Sequence, residues 1–268
     1  MAMTAFLRLL LFCLVLAASG AALAQDALRE GLQAVQRGDY ESARRLLEQV
    51  ESDPRAAYAL GQMKSNPRYG PVDYPAAARH YAQAVAAGHV GAMLGLGFLY
   101  DNGWGVGRDG ARAQELYIVA AAQGLTMAKN NLAYLWGRQN GLLEQALCLS
   151  AQTLAEEPDN PYYLDTYGFI LLRQGRAAQA RAYFAKAIRL LPDYADALEH
   201  LGDVAAMTGA GDARDWWRRA QANPRDERQA ARVQAKLGGA PGLGDLNEHP
   251  QFALRNPGLP AECGMPSV

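Results

Sequence analysis

Apolar and small residues recur along most of the chain at the three- and four-residue spacing that places side chains on one face of a helix. The clearest case is the stretch 92–125. There, Leu96 and Leu99 mark one face of a first helix, and Ala113 and Tyr117 mark one face of a second. Glycines between the two segments favour a tight turn, because glycine tolerates positive φ. This stretch therefore predicts a pair of short helices.

The same helix pair recurs six times along the chain. The alanine that opens each second helix reappears after 34, 36, 33, 34 and 33 residues, a period typical of stacked helix pairs. These alanines are Ala43, Ala77, Ala113, Ala146, Ala180 and Ala213. The residues four positions later are Leu47, Tyr81, Tyr117, Ser150, Phe184 and Trp217, and those seven positions later are Val50, Ala84, Ala120, Thr153, Ala187 and Ala220. The pattern predicts an all-α fold, a right-handed α-solenoid of stacked antiparallel helix pairs, because small residues let helices approach and bulky ones fill the gap.

Two of these units, 55–88 and 91–125, resemble the Sel1-like repeat. The residues that carry this resemblance are Leu60-Gly61, Leu96-Gly97 and Gly103-Trp104-Gly105-Val106. Two later units, 161–192 and 195–224, resemble the tetratricopeptide repeat (TPR). The residues that match it are Leu164, Gly168, Leu171, Ala180, Phe184, Ala187 and Pro192 in the first, and Leu201, Gly202, Ala213, Trp217, Ala220 and Pro224 in the second. These motifs are specific for a fold and say little about activity.

The remaining parts of the solenoid, predicted over 25–237, are less regular. The segment 26–54 fits an N-terminal TPR-like unit, and 127–158 fits a degenerate unit. The segment 225–237 has apolar residues on one side and charges on the other, which predicts a helix that caps the exposed edge of the last pair. The final segment, 238–268, is rich in glycine and proline and is predicted to be an irregular tail.

The first 24 residues carry the features of a secretory signal peptide. One arginine, Arg8, precedes an apolar run, and Ala22-Leu23-Ala24 forms an A-x-A cleavage site before Gln25. The alternative is an uncleaved membrane anchor, but the apolar run is shorter than the roughly 20 residues that a span needs. We therefore expect cleavage, export to the periplasm and no membrane span in the mature chain.

The charge of the chain is close to balanced, with 26 lysines and arginines against 27 acidic residues. Removal of the signal peptide leaves 25 basic side chains against the same 27 acidic ones. Nucleic acids and anionic membranes favour a clear positive excess, so neither is expected as the main partner.

Two cysteines remain after the predicted cleavage, Cys148 and Cys263. In an oxidising compartment such a pair tends to form a disulfide. We expect this bond to tie the tail back to the fourth unit. The alternative is that Cys148 is a small core residue and Cys263 a separate thiol.

Candidate chemistry is sparse. The four histidines show no metal-ligand spacing with one another or with cysteines, and no nucleophile or phosphate-binding motif is present. Glu199, His200 and Asp203 could place an acid and a base on one helix. Such groups are common on solvated helices, however. The sequence therefore predicts a protein that is not an enzyme and has neither metal nor cofactor.

An α-solenoid offers a concave groove lined by the first helix of each pair. By resemblance to TPR proteins, the residues expected to line this groove are Asn131, Leu135, Arg138, Tyr162, Asp165, Phe169, Arg173, Glu199 and Asp203. Asp165 and Glu199 stand where a carboxylate-binding TPR groove would need cations or amides. Recognition of a partner segment through its side chains is therefore expected. The alternative is that these residues form only a solvated inner face.

These observations together predict a periplasmic scaffold or adaptor that binds another protein of the cell envelope. Resemblance to exported Sel1-like proteins implies an alternative role, the regulation of a membrane sensor through its periplasmic domain. A third possibility, from a different class, is an accessory protein for envelope polysaccharide or peptidoglycan.

Overall fold

The computed structural model describes residues 2–139 and 142–240, with side chains from residue 20 onward. Within these ranges the chain forms thirteen α-helices and one 3-10 turn, and no strand lies among them. Successive helices pack against one another, which confirms the predicted all-α solenoid class of helix pairs. The chain divides into two compact units, Met1–Asp109 and Gly110–Val268.

The first unit contains five α-helices. They are α1 (Ala2–Arg37), α2 (Tyr40–Glu48), α3 (Pro54–Ser65), α4 (Tyr74–Ala86) and α5 (Val90–Asn102), with the 3-10 turn Pro67–Tyr69 between α3 and α4. Asp39, Asp53 and Asp73 cap the starts of α2, α3 and α4, because each carboxylate accepts a backbone N–H of the first helical turn. Gly103 ends α5 in the left-handed conformation, with a φ of 68°.

Helix α1 runs without a break through the predicted signal cleavage site before Gln25. Its later part contributes Leu28 and Ala34 to the core of the first unit. Among the described residues, we find no helix with both the length and the apolar character that a membrane crossing requires. Cleavage and export are not tested by these observations and stay predictions.

The second unit contains eight α-helices. They are α6 (Gly110–Ala122), α7 (Thr126–Gly137), α8 (Leu143–Glu156), α9 (Pro161–Arg173), α10 (Ala177–Leu190), α11 (Ala195–Thr208), α12 (Ala213–Ala222) and α13 (Glu227–Leu237). Helices α7, α9 and α11 are the first helices of their pairs, and α8, α10 and α12 are the second helices. The predicted tail lies almost wholly outside the described residues.

The predicted ladder of small and bulky residues forms the core. Every residue of the ladder is buried except Ala213, which is partly exposed. Four ladder residues lie directly against a glycine of the first helix of the same pair: Leu47, Tyr81, Phe184 and Trp217. A Cβ added at Gly168 would lie 2.8 Å from the ring of Phe184, and one added at Gly202 would lie 2.3 Å from the ring of Trp217. The glycines therefore make room for the ladder, as close helix packing requires.

Helix α13 follows α12 as the predicted cap, but its contacts differ from the expected apolar face. Val233 is buried, whereas Ala231 is exposed. Two polar residues, Gln229 and Lys236, are buried instead. The side of α13 that faces the unit is therefore largely polar and charged.

Candidate functional site

The structure divides the nine predicted groove residues into two groups. Four keep a part of their surface exposed: Asn131, Arg138, Tyr162 and Arg173. Five are buried: Leu135, Asp165, Phe169, Glu199 and Asp203. The expectation that these five line an accessible surface is wrong in this structure, because each is covered by a neighbouring helix or side chain. Whether the four accessible residues contact a partner remains a prediction.

Asp165 on α9 is directed at α11 and not at solvent. One of its carboxylate oxygens, Oδ1, lies 2.8 Å from Nδ1 of His200, and the other accepts a hydrogen bond from the Tyr194 hydroxyl at 3.4 Å. The His200 ring lies between two phenylalanines, with ring centroids 5.2 Å from Phe169 and 5.1 Å from Phe184. The acid and the histidine thus form a buried pair that links two successive first helices.

The protonation of His200 is set by two opposing effects. Burial alone lowers the pKa of His200, because an apolar environment disfavours the charged imidazolium. The charge and hydrogen bond of Asp165, with smaller effects of Glu199 and Asp203, outweigh burial and raise the pKa of His200 above its usual range. The pair therefore behaves as an internal ion pair once the imidazole is protonated.

Glu199 on α11 is directed at α13. Its carboxylate accepts hydrogen bonds from Arg232 Nε at 2.7 Å, from Lys236 Nζ at 2.6 Å and from Gln229 Nε2 at 3.2 Å. Burial alone would raise the pKa of Glu199, but Arg232 and Lys236 lower it to about 2. Glu199 is therefore a charged anchor for α13.

Two more carboxylates of α11 complete this contact. Asp203 accepts hydrogen bonds from Lys236 Nζ at 2.8 Å and from the Trp217 indole at 3.1 Å. Asp196 accepts from Arg225 Nη1 and from Gln229 Nε2, each at 3.1 Å. Burial raises the pKa of both aspartates, because each has fewer cationic donors than Glu199 has.

These contacts leave no reactive arrangement at Glu199, His200 and Asp203. The histidine pairs with Asp165, while the two acids bind Lys236 on α13. All three side chains are buried. A proton shuttle needs a group within reach of a substrate, and these groups are enclosed by their partners.

Part of the accessible surface of the second unit is formed by aromatic rings and arginines on or next to the first helices α7, α9 and α11. We call it the first-helix face and define it by its partly exposed side chains: Asn131, Tyr134, Arg138, Tyr162, Arg173 and Tyr194. The Tyr162 and Tyr194 rings meet edge to face, with centroids 5.0 Å apart. The Arg138 guanidinium lies 5.0 Å from the centre of the Tyr134 ring, within the range of a cation–π contact.

Sequence reasoning missed Tyr134 and Tyr194 as members of this face, and it missed the burial of the acids. The sequence of α13 contains a pattern that indicates the burial of these acids. Gln229, Arg232 and Lys236 follow one another at spacings of three and four, which matches the spacing of Asp196, Glu199 and Asp203 on α11. Two complementary stripes of this kind indicate helices that pair through their charges.

The described residues contain no group of three or more histidines, cysteines or acids that could hold a metal ion. Cys148 is part of a disulfide, and its predicted partner Cys263 lies outside the described residues. The pairing of these two cysteines remains a prediction.

No protein family model matches the chain. A TPR repeat-containing protein of Pseudomonas aeruginosa is 32% identical to it over 87 residues, which is 32% of this chain and 15% of that protein. The chain thus matches only a small part of this curated relative.

Solved structures extend the comparison. A Sel1 repeat protein from Oxalobacter formigenes superposes with a TM-score of 0.56 at 21% identity, covering 83% of this chain and 90% of the other. PilW, a type IV pilus biogenesis factor, gives a TM-score of 0.57 at 18% identity, covering 79% and 98%. An assembly chaperone of the ribosomal protein RpL4 gives 0.53 at 16% identity, covering 80% and 96%.

The helix pairs, the ladder and these likenesses together define the class of the protein. The chain has the fold of Sel1-like and tetratricopeptide repeat proteins, and the resemblance stated from its sequence motifs is confirmed at the level of the fold.

Proposed function

We propose that this chain is a non-enzymatic scaffold of the bacterial periplasm that binds a segment of another protein on the first-helix face. The observation that carries the proposal is the exposure of Tyr162. Its ring lies on a first helix, and 52% of the residue is accessible, although aromatic side chains of this size are usually covered in a folded protein. Tyrosine is enriched among the residues that dominate binding between proteins.

The contacts of the ionisable residues support a role in binding and not in catalysis. The buried acids of α9 and α11 are engaged by His200 or by α13, and they serve to hold successive helices together. The accessible side chains on or next to these first helices include the aromatic rings and guanidinium groups of the first-helix face. Such a surface suits the side chains of a partner segment.

The same surface favours a protein over a polysaccharide as the ligand. Sugar rings stack on flat aromatic platforms, whereas Tyr162 and Tyr194 meet at an interplanar angle of 72°. The periplasmic domain of a membrane sensor is one partner of the proposed kind. The proposed location rests on the signal-like residues 1–24, and N-terminal sequencing of the exported chain should give Gln25 as the first residue.

The test compares two variants of the intact chain in its native host. Tyr162→Ala removes the exposed ring of the first-helix face, and Leu190→Ala removes a similarly exposed apolar side chain at the end of the second helix α10. Affinity isolation after crosslinking should recover one stoichiometric partner with the wild-type chain and with Leu190→Ala, but not with Tyr162→Ala. Equal recovery with both variants would contradict the proposal, provided that both melt at the wild-type temperature.

A further inference from the structure

Three acidic side chains form a stripe along one side of α11, and helix α13 covers them. We call this set the acid stripe and define it by Asp196, Glu199 and Asp203, whose spacing of three and four places them on one face of the helix. Each is at most 8% exposed, and each accepts a hydrogen bond from a side chain of α13. The acid stripe is therefore a negatively charged surface with a helix already bound to it.

The side chains of α13 meet the acid stripe at a matching spacing. Gln229, Arg232 and Lys236 bind successive acids of the stripe. The residues at 229 and 236 are seven positions apart, which corresponds to about 10 Å along a helix, and the acids at 196 and 203 have the same separation. An extended segment would cover this distance in about three residues, with side chains that alternate in direction. The acid stripe therefore suits a helical ligand.

The apolar part of this contact is smaller than the polar part. Val233 is the apolar member of the three buried residues of α13, and it packs against Leu198, Trp217 and Ala220. Buried ion pairs add little net stability, because the loss of hydration offsets much of their attraction. The charges therefore determine which helix binds, and in which register, more than they fix that helix permanently.

The connection between α12 and α13 is suited to a movement of α13 as a unit. Four residues, 223–226, connect the two helices, and the first three of them are exposed. A short exposed connection can act as a hinge, since a few residues absorb the change in backbone angles. Release of α13 would uncover three carboxylates together with the apolar side chains that pack against Val233.

The match between α13 and the acid stripe is weakest at Asp196. The α13 side chain that binds this acid is the neutral amide of Gln229, at 3.1 Å. Arg225, in the connection, also lies 3.1 Å from Asp196, but it is shared with Asp226 at 3.2 Å. A helix with a cation in place of Gln229 would add the attraction of opposite charges at this acid. Such a helix should bind the acid stripe more tightly than α13 does.

We infer that the acid stripe is a binding site for a basic helix of another protein, and that α13 occupies this site in the unbound chain. The partner helix carries cations at positions i, i+3 and i+7 and a branched apolar residue at i+4. This is the pattern of α13 at 229, 232, 236 and 233, with a cation in place of Gln229. Its binding releases α13. The site uses none of the residues of the first-helix face, so the inference does not depend on the proposed function.

The test uses a fluorescent peptide with the sequence of residues 225–240 and the substitution Gln229→Arg. A control peptide of the same length also carries Arg232→Glu and Lys236→Glu, which reverse the two charges that face the acid stripe. Fluorescence anisotropy measures the affinity of both peptides for the intact chain and for three of its variants.

The first variant, Arg232→Gln, weakens the contact of the chain's own α13. The test peptide should bind it at least fivefold more tightly than it binds the wild type, because the weakened α13 occupies the site for less of the time. Arg218→Gln removes the same charge from an exposed ion pair on α12, and Tyr162→Ala removes the exposed ring of the first-helix face. Affinity for these two variants should stay within twofold of the wild-type value. The control peptide should bind each chain at least tenfold more weakly than the test peptide does.

Hydrogen exchange measured by mass spectrometry shows whether α13 leaves its place. With the test peptide bound, the backbone amides of 227–237 should exchange faster in the wild-type chain and in Arg232→Gln. The peptide differs in mass from the corresponding segment of the chain, so the two are distinguished. Circular dichroism confirms that each variant is folded before affinities are compared.

Several results would overturn the inference. They are absence of binding, equal affinity for both peptides, equal affinity for the wild type and Arg232→Gln, and binding that leaves the exchange of α13 unchanged. Loss of binding in Tyr162→Ala would place the peptide on the first-helix face and would also overturn it. The wild-type chain should sediment as a monomer; a dimer that the peptide dissociates would identify α13 of a second copy as the occupant and overturn the assignment to another protein. None of these results contradicts the proposed function.

Discussion

The packing of Trp217 against Gly202 provides a quantitative test of the ladder. A methyl group at residue 202 would lie 2.3 Å from Cδ1 and Nε1 of the indole, well inside ordinary van der Waals contact. The indole has little freedom to move, because it is buried and donates a hydrogen bond to Asp203 at 3.1 Å. The variant Gly202→Ala must therefore displace a ring that is fixed on several sides.

The expected magnitude follows from two opposing contributions. Overpacking a rigid core costs about 1–3 kcal/mol, and the close contact places this site near the upper end of that range. Alanine favours the helix by about 1 kcal/mol relative to glycine. The net loss in the free energy of unfolding is then about 2 kcal/mol, which corresponds to a decrease in Tm of roughly 4–8 °C for a domain of this size.

The same substitution in a chain without the Trp217 ring tests whether that ring causes the loss of stability. In a Trp217→Leu chain the bulky ring is absent, so Gly202→Ala should change from destabilising to neutral or stabilising by up to about 1 kcal/mol. Urea unfolding of the four chains of this cycle, followed by circular dichroism, measures both effects. Equal or greater stability of Gly202→Ala in the Trp217 background would refute the account of glycines making room for the ladder.

Three further predictions follow from other parts of the second unit. Lys236→Ala should lower the free energy of unfolding by about 3–5 kcal/mol in urea titrations, because it leaves the buried carboxylates of Glu199 and Asp203 without a shared cation. A loss below about 1 kcal/mol would contradict a structural role for these ion pairs. The pKa of His200 is raised in the folded chain, so its pair with Asp165 should stabilise the protein fully below the usual histidine pKa of 6.5. This contribution should be lost as the pH rises through the pKa of His200 in the folded chain. The Tm of the wild-type chain and the Tm of His200→Gln should therefore converge toward alkaline pH, and parallel pH profiles would contradict the assignment. Finally, the predicted bond between Cys148 and Cys263 should leave no free thiol in the denatured, unreduced mature chain, whereas two thiols per chain would exclude it.

The ladder could be predicted from the sequence because its evidence is local and repeated. Each unit places a small and a bulky residue at fixed spacing, and the structure buries Ala180, Phe184 and Ala187 as that spacing requires. The position of the helix pairs depends on residues that are close in sequence, so a single chain was sufficient to find them.

The surface chemistry could not be predicted in the same way, because it depends on pairs that are distant in sequence. Asp165 meets His200 across 35 positions, and Glu199 meets Lys236 across 37. Family resemblance placed these acids on an open groove, but they lie between successive helices. Their burial removes these acids from the accessible surface on which the resemblance placed them.

The most direct test of the account is a photocrosslinking scan in intact cells of the native host. A photoreactive amino acid is placed, one position at a time, on the first-helix face at 131, 138, 162 and 173, and on other exposed surfaces of the second unit at 119, 190 and 207. We predict that one partner protein is crosslinked from the first set of positions and not from the second. Crosslinks to that partner only from 119, 190 or 207 would contradict the assignment of the first-helix face as the binding surface.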